Sequence, residues 1–119
     1  MLKLSVENVG DTAVIGCEGR IVRSDAVFRL RNAVQQQSAS NVVLDLSEVK
    51  AIGGGGLGML AYLERWSREN DVELKLYSPS KAVIEGLAEN RSLVNFNLAS
   101  FEEMMGMLAH SPSPYGLAA

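Results

Sequence analysis

Val42-Val43-Leu44-Asp45-Leu46, then Ser47 to Ile52, then Gly53-Gly54-Gly55-Gly56, then a helical pattern from Leu57 to Trp66: this stretch decides the fold. The run at Val42–Leu46 is apolar on both faces, as a strand in the middle of a sheet must be. Ser47 to Ile52 reads as a connector. Ordering a glycine removes more backbone freedom than ordering any other residue, roughly 0.5–1 kcal/mol relative to Ala inside regular structure. Four in succession therefore suit a loop that needs unusual dihedrals or close approach, and such a loop feeding a helix is a place to look for function. At about 100° per residue, Met59, Leu60, Leu63 and Trp66 group on one side of that helix and Glu64, Arg65, Arg68 and Glu69 on the other. Leu57 and Ala61 fall on the charged side, so Leu57 is either covered by an element from elsewhere in the chain or is an exposed contact residue.

Working outward, Leu2, Leu4 and Val6 alternate with Lys3, Ser5 and Glu7, the period of a strand with one dry face, and Gly10-Asp11 supplies the turn to a second strand from Thr12 to Gly19. Ala13-Val14-Ile15 is apolar on both faces and suits a more central position. Ser24 offers a hydroxyl cap to a helix through about Gln37, with Ala26, Val27, Leu30, Ala33 and Val34 as its stripe. Beyond the central helix, Val72, Leu74 and Leu76 mark a strand nearer a sheet edge. Ser78-Pro79-Ser80 opens a helix with Val83, Ile84 and Leu87, a cap plus a proline in the first turn. Val94, Phe96 and Leu98 make a short last strand, and Ser100-Phe101-Glu102-Glu103 is a capping box before a helix with Met104, Met105 and Leu108. The order predicts a small α/β domain over residues 1–110: a mixed sheet of about five strands, opened by an antiparallel hairpin, with about four helices. Residues 111–119, with two prolines and no periodicity, read as a flexible tail.

Composition narrows the function. The chain has 119 residues, 47% hydrophobic and 21% charged, which suits one self-folding domain. A net charge of −3 argues against a nucleic-acid binder, which would need a clustered basic face. With no apolar run of membrane-spanning length and no signal-like N-terminus, the chain reads as cytoplasmic. Cys17, the one cysteine, reads as a small core residue, and His110, the one histidine, as a surface helix end; neither has companions at metal-ligand spacing, so no metal or cofactor is expected. Nothing places a nucleophile, a base or a carboxylate pair at the glycines, so the chain reads as non-enzymatic.

Gly53-x-Gly55-x-x-Gly58 does satisfy the dinucleotide-binding pattern, with Asp71 or Glu73 about 20 residues on. Two features oppose it. Ser47 to Ile52 intervene between strand and first glycine, and Asp71 and Glu73 open the next strand at its far end instead of closing it beside the glycines. A Walker phosphate loop is excluded because no Gly-Lys-Ser/Thr follows.

Asp45-Leu46-Ser47-Glu48-Val49, Ile52 and Gly56-Leu57-Gly58, in this order, together with Gly19 before Ile21 and Phe96 before Ser100-Phe101-Glu102-Glu103, resemble a STAS domain, the module of bacterial anti-sigma factor antagonists, over about residues 2–109. The resemblance implies the STAS fold and a protein partner, an anti-sigma factor kinase or a related regulator, met by Gly53, Gly54, Gly55, Gly56 and Leu57. In that family the segment before the central helix usually reads Asp-Ser-Ser-Gly or Asp-Ser-Thr-Gly, and the partner kinase phosphorylates the first hydroxyl residue. Here Gly53 replaces the aspartate, Gly54 and Gly55 replace the hydroxyls, and only Gly56 matches. The implied function is an antagonist-like interaction module without the phosphoacceptor; the alternative is a STAS accessory subunit of a transporter or a sensory assembly. Ser47, the nearest hydroxyl, matches a non-switch position and is expected to end its strand locally.

Overall fold

A computed structural model describes residues 2–89 and 97–99. In chain order the elements are β1 (Leu2–Val9), β2 (Thr12–Ile21), α1 (Ser24–Gln35), β3 (Asn41–Ile52), α2 (Gly54–Glu69), β4 (Glu73–Tyr77), α3 (Lys81–Glu89) and β5 (Asn97–Ala99). The strands form one mixed sheet ordered β1-β2-β3-β4-β5, antiparallel between β1 and β2 and parallel thereafter. The expected fourth helix after Ser100, the tail at 111–119, His110, Val94 and Phe96 lie outside the described residues.

β3 sits at the centre of the sheet, where its two apolar faces belong. Its core-facing residues are Val42, Leu44, Leu46, Val49 and Ile52, in one cluster with Ala13, Ile15 and Cys17 of β2 and Leu74 and Leu76 of β4. Ala26, Leu30 and Val34 of α1, Met59, Leu60 and Leu63 of α2, and Val83 of α3 complete that cluster, so the described helices all cover the same face. β1 opens under this layer, with Leu2 buried and its carbonyl accepting from Arg29 Nη1 of α1 at 2.7 Å, and runs out from it, leaving Val6 exposed.

Several local expectations need correction. The supposed connector Ser47–Ile52 is strand: β3 continues beside β2 through two register shifts, between the pairs Gly16/Asp45 and Glu18/Glu48 and between Gly19/Val49 and Arg20/Ala51. At each shift β3 carries one extra residue, a bulge that reverses which face the following residues occupy. Ser47 therefore lies inside the strand and does not end it; its N–H and Oγ–H donate to Asp45 Oδ1 at 3.0 and 2.6 Å. Ser24 is the first helical residue of α1, and Arg23 holds the cap position without a side-chain hydrogen bond. At α3 the capping serine is Ser80, whose carbonyl accepts from Ile84 N–H at 2.9 Å, so Pro79 precedes the first turn. Ile84, assigned to that helix's core stripe, is exposed, whereas Val83 is fully buried.

Candidate functional site

The site grows from the end of β3. Gly53 occupies the cap position of α2 with φ −97° and ψ 178°. Its N–H donates to the Ile21 carbonyl at 3.0 Å, and its own carbonyl accepts from Leu57 N–H at 3.0 Å. The helix is thus tied to the last residue of β2 as it leaves β3. Gly54, Gly55 and Gly56 are the first helical turn, not a loop, and none has the left-handed φ seen at Gly10 and Gly19. Unusual dihedrals do not explain the run.

Close approach explains one of the four. A Cβ on Gly56 would stand 2.8 Å from Ile52 Cγ1, 2.9 Å from the Ile21 carbonyl oxygen and 3.0 Å from Ile21 Cγ2. The helix enters so near the ends of β2 and β3 that only hydrogen fits there. At Gly53 the nearest atoms to an added Cβ are 3.8 Å away, at Gly55 only Val27 Cγ2 comes as near as 4.0 Å, and at Gly54 nothing lies within 4 Å. Gly54 and Gly55 are exposed, while Gly56 is buried. The amides of Gly54–Gly56 belong to the turn whose donors have no intrahelical partner, no side chain caps them, and no acidic residue lies in the first turn. This end of α2 is an open, partly positive patch of backbone with no side chain over it.

Leu57 requires a correction. At 6% exposure it is buried, and Gly86 of α3 packs on it: Leu57 Cδ2 and Cδ1 lie 3.1 and 3.2 Å from where a Gly86 Cβ would be. The charged-side position of Leu57 on α2 reflects a second apolar contact, with α3, and Leu57 is not a surface contact. Of the candidate residues the structure brings Gly53, Gly54 and Gly55 to the surface and turns Gly56 and Leu57 inward.

Because β3 reaches Ile52, Gly53 does follow its strand directly, and that objection to a dinucleotide loop falls. The other stands. Asp71 and Glu73 line a polar hollow with Glu64, Ser67 and Arg68 at the opposite end of α2. Sixteen helical residues separate the two ends, about 24 Å at 1.5 Å per residue, too far for one nucleotide's phosphate and ribose contacts. Cys17 is buried, and its thiol is pushed up to about 12 by burial and secondarily by the Asp45 carboxylate, which makes it a poor nucleophile. Among the described residues there is no group of three or more His, Cys, Asp or Glu side chains able to hold a metal, and no helix long and apolar enough to cross a membrane.

The sequence reading missed one neighbour of the glycine turn. Val22, Phe28 and Tyr62 are large, apolar and exposed, and all three line a groove between α1 and α2 that Gly55 also borders. The available signal was their position: Phe28 and Tyr62 fall outside the core stripes of their helices, where an apolar ring has no packing reason to be.

No curated protein matches the sequence. Among solved structures the chain is similar to the anti-sigma factor antagonist SpoIIAA in its unphosphorylated form, at 17% identity and a TM-score of 0.71 over 93% of this chain and 100% of that one. The Bacillus cell fate determinant SpoIIAA in its phosphorylated form matches at 18% identity and 0.66, over 89% and 99%. A putative anti-sigma factor antagonist from Thermotoga maritima matches at 15% identity and 0.74, over 88% and 93%. At such identities these likenesses concern the fold. The family model for the STAS domain matches residues 20–105, from the end of β2 past β5 and across the whole glycine turn, and the chain belongs to the STAS domain family.

Proposed function

We propose that this STAS domain is a non-enzymatic interaction module of the antagonist kind, which binds an anti-sigma factor kinase or a related regulator through the surface around Gly53, Gly54 and Gly55 and is not switched by phosphorylation there. One observation carries the reading: Gly54 and Gly55, which open α2, are exposed, uncapped and without side chains, a surface for backbone-to-partner contact. Among the solved proteins it resembles, SpoIIAA and the Thermotoga maritima protein are named as anti-sigma factor antagonists, and SpoIIAA is solved in both unphosphorylated and phosphorylated forms. A glycine has no oxygen to accept phosphate. In a serine-bearing turn the phosphoryl group would add about −1.5 to −2 charges and its bulk to this patch; here the turn keeps one covalent state, and the amount of protein sets occupancy of the partner.

The test is affinity capture from cells of the source organism with the unaltered chain and with Gly54→Glu. A Cβ at position 54 meets nothing within 4 Å, so the variant should fold, and its melt checks that it does. It should lose the captured protein because it places bulk and charge on the patch. Equal capture by both chains refutes the site, and transporter or receptor components in the captured set would favour an accessory subunit over an antagonist.

A further inference from the structure

We propose that the groove between α1 and α2 receives an acidic amphipathic helix of the protein partner, an apolar side chain seated among Val22, Phe28 and Tyr62 and a carboxylate paired with Arg31. This rests on the reading of the chain as an interaction module and adds the chemistry of what it binds.

The groove is a cavity of about 380 Å³, enough for one or two apolar side chains. Val22, Phe28 and Tyr62 are 47%, 53% and 45% exposed; among the described residues the other large exposed apolar side chains, Val6 and Ile84, do not border it. Three such residues around one depression form a patch with an apolar anchor's shape, unlike the scattered exposure that needs no explanation. Val27 and Met59 form the deeper wall. Gly55 keeps the mouth open, since its nearest neighbour, Val27 Cγ2, would lie 4.0 Å from an added Cβ and a longer side chain would lie over the groove. The patch is therefore continuous with the glycine turn.

Charge chooses the occupant. Arg31 is the one ionised side chain lining the groove among the described residues, and no carboxylate lines it. Its guanidinium stacks over the Phe28 ring at 4.7 Å, and its Nε is shielded from solvent without a hydrogen-bond partner. Beyond Nε the guanidinium carries four further N–H donors on its terminal nitrogens, a fork from which a partner's carboxylate can accept in pairs. The uncapped amides at the start of α2 add partial positive charge beside it. A groove between two helices with apolar walls and one cation takes a helix presenting apolar residues at three- and four-residue spacing with Asp or Glu beside them.

The test uses the purified full chain, labelled with nitrogen-15, and two helical peptides of equal length. Both carry Leu at i, i+3, i+4 and i+7; the remaining positions are Glu in one and Lys in the other. The Glu peptide should shift the amides of Val22, Phe28, Arg31, Gly55 and Tyr62 and bind about tenfold tighter than the Lys peptide, the scale of one charge-assisted hydrogen bond. The net charge of −3 favours the Lys peptide, so a preference for Glu isolates the local effect of Arg31. Arg31→Gln should remove the preference while Phe28→Ser weakens both peptides, and both positions tolerate change because Phe28 is exposed and Gln retains most of the Arg31 stem. Preference for Lys, shifts centred elsewhere, or no binding by either peptide overturns the proposal. So does concentration-dependent self-association broadening the same amides without peptide, which would make a second copy the occupant. A chain that still loses its cellular partner through Gly54→Glu but shows no peptide preference refutes the groove and leaves the glycine turn standing.

Discussion

Gly54 and Gly56 are two residues apart in the same helical turn, and replacing each with alanine should move stability in opposite directions. For both, the intrinsic gain is similar: alanine is favoured over glycine in a helix by up to about 1 kcal/mol, less in the first turn, through reduced freedom of the unfolded chain. At Gly54 the new methyl meets nothing within 4 Å, so Gly54→Ala should stabilise by about 0.5 kcal/mol. At Gly56 the methyl would sit 2.8 Å from Ile52 Cγ1 and 2.9 Å from the Ile21 carbonyl oxygen. The Ile52 side chain can turn away, but the Ile21 carbonyl cannot, because it already accepts from Gly53 N–H. Forcing an extra methyl into a packed site costs typically about 1–3 kcal/mol, so after the helix-propensity gain Gly56→Ala should lose about 1–2 kcal/mol.

Urea unfolding followed by circular dichroism, extrapolated linearly to water, reads both differences. In thermal melts a loss of 1 kcal/mol lowers Tm by about 4–8 °C for a domain near this size. Propensity cancels in the comparison, leaving the close approach of α2 to β2 and β3 as the difference. If Gly56→Ala is as stable as Gly54→Ala, α2 does not enter as tightly as described, and the assignment of Gly56 to packing is wrong.

Amide exchange should be slow at Gly53, whose N–H is held by the Ile21 carbonyl, and fast at Gly54 and Gly55; equal rates at all three would show that Gly53 is not anchored. Leu57→Asp should unfold the domain instead of silencing an interface, since a carboxylate would replace a side chain buried against α3, and a melt unchanged from the parent would contradict that burial. The Cys17 thiol has its pKa raised from 9.0 to about 12 in the folded chain, so its contribution to stability is complete below pH 9 and lost as pH rises through 12; Cys17→Ala should flatten that alkaline slope, and an unchanged slope would assign it to other groups. Incubation with a cognate kinase and ATP should leave the peptide spanning Gly53 to Gly56 at its unmodified mass, whereas Gly54→Ser together with Gly53→Asp should supply an acceptor; phosphate on Ser47 with loss of the partner would place a switch inside β3.

How much of this the chain discloses in advance depends on whether a spacing survives folding unchanged. β2, β4 and the helix at Ala26–Val34 keep regular periods, so their positions could be read directly. β3 does not. Its core-facing residues run 42, 44, 46, 49, 52, and the steps of three come from the two bulges, which hide the strand beyond Leu46 behind a pattern that no regular strand has. The start of α2 was illegible for a different reason: glycines carry no side-chain period, so nothing marks where a loop ends and a helix begins. Leu57 was ambiguous because the partner that buries it, Gly86, contributes no side chain to any pattern and acts by its smallness.

These distinctions bear on what the glycine run can do. Gly56 is fixed by the fold, since no other residue fits between α2 and the ends of β2 and β3, and it is also the one residue that matches the family segment. Gly54 and Gly55 are not demanded by packing or dihedral angle, and they stand at the two positions where the resemblance places hydroxyls. A serine at Gly54 would fit the space available, so the fold itself would accept the switch residue that this chain lacks. Bareness at the surface is thus separable from the architecture beneath it. On the proposed reading it has two effects: it removes the oxygen a kinase needs, and at Gly55 it leaves the groove of Val22, Phe28 and Tyr62 open to a partner's side chain. Restoring a hydroxyl at Gly54 addresses the first without touching the second, whereas a large side chain at Gly55 would close the groove while leaving the turn unphosphorylated. On that reading regulation by covalent state and recognition by shape fall on adjacent residues of one helical turn, and can be altered one at a time.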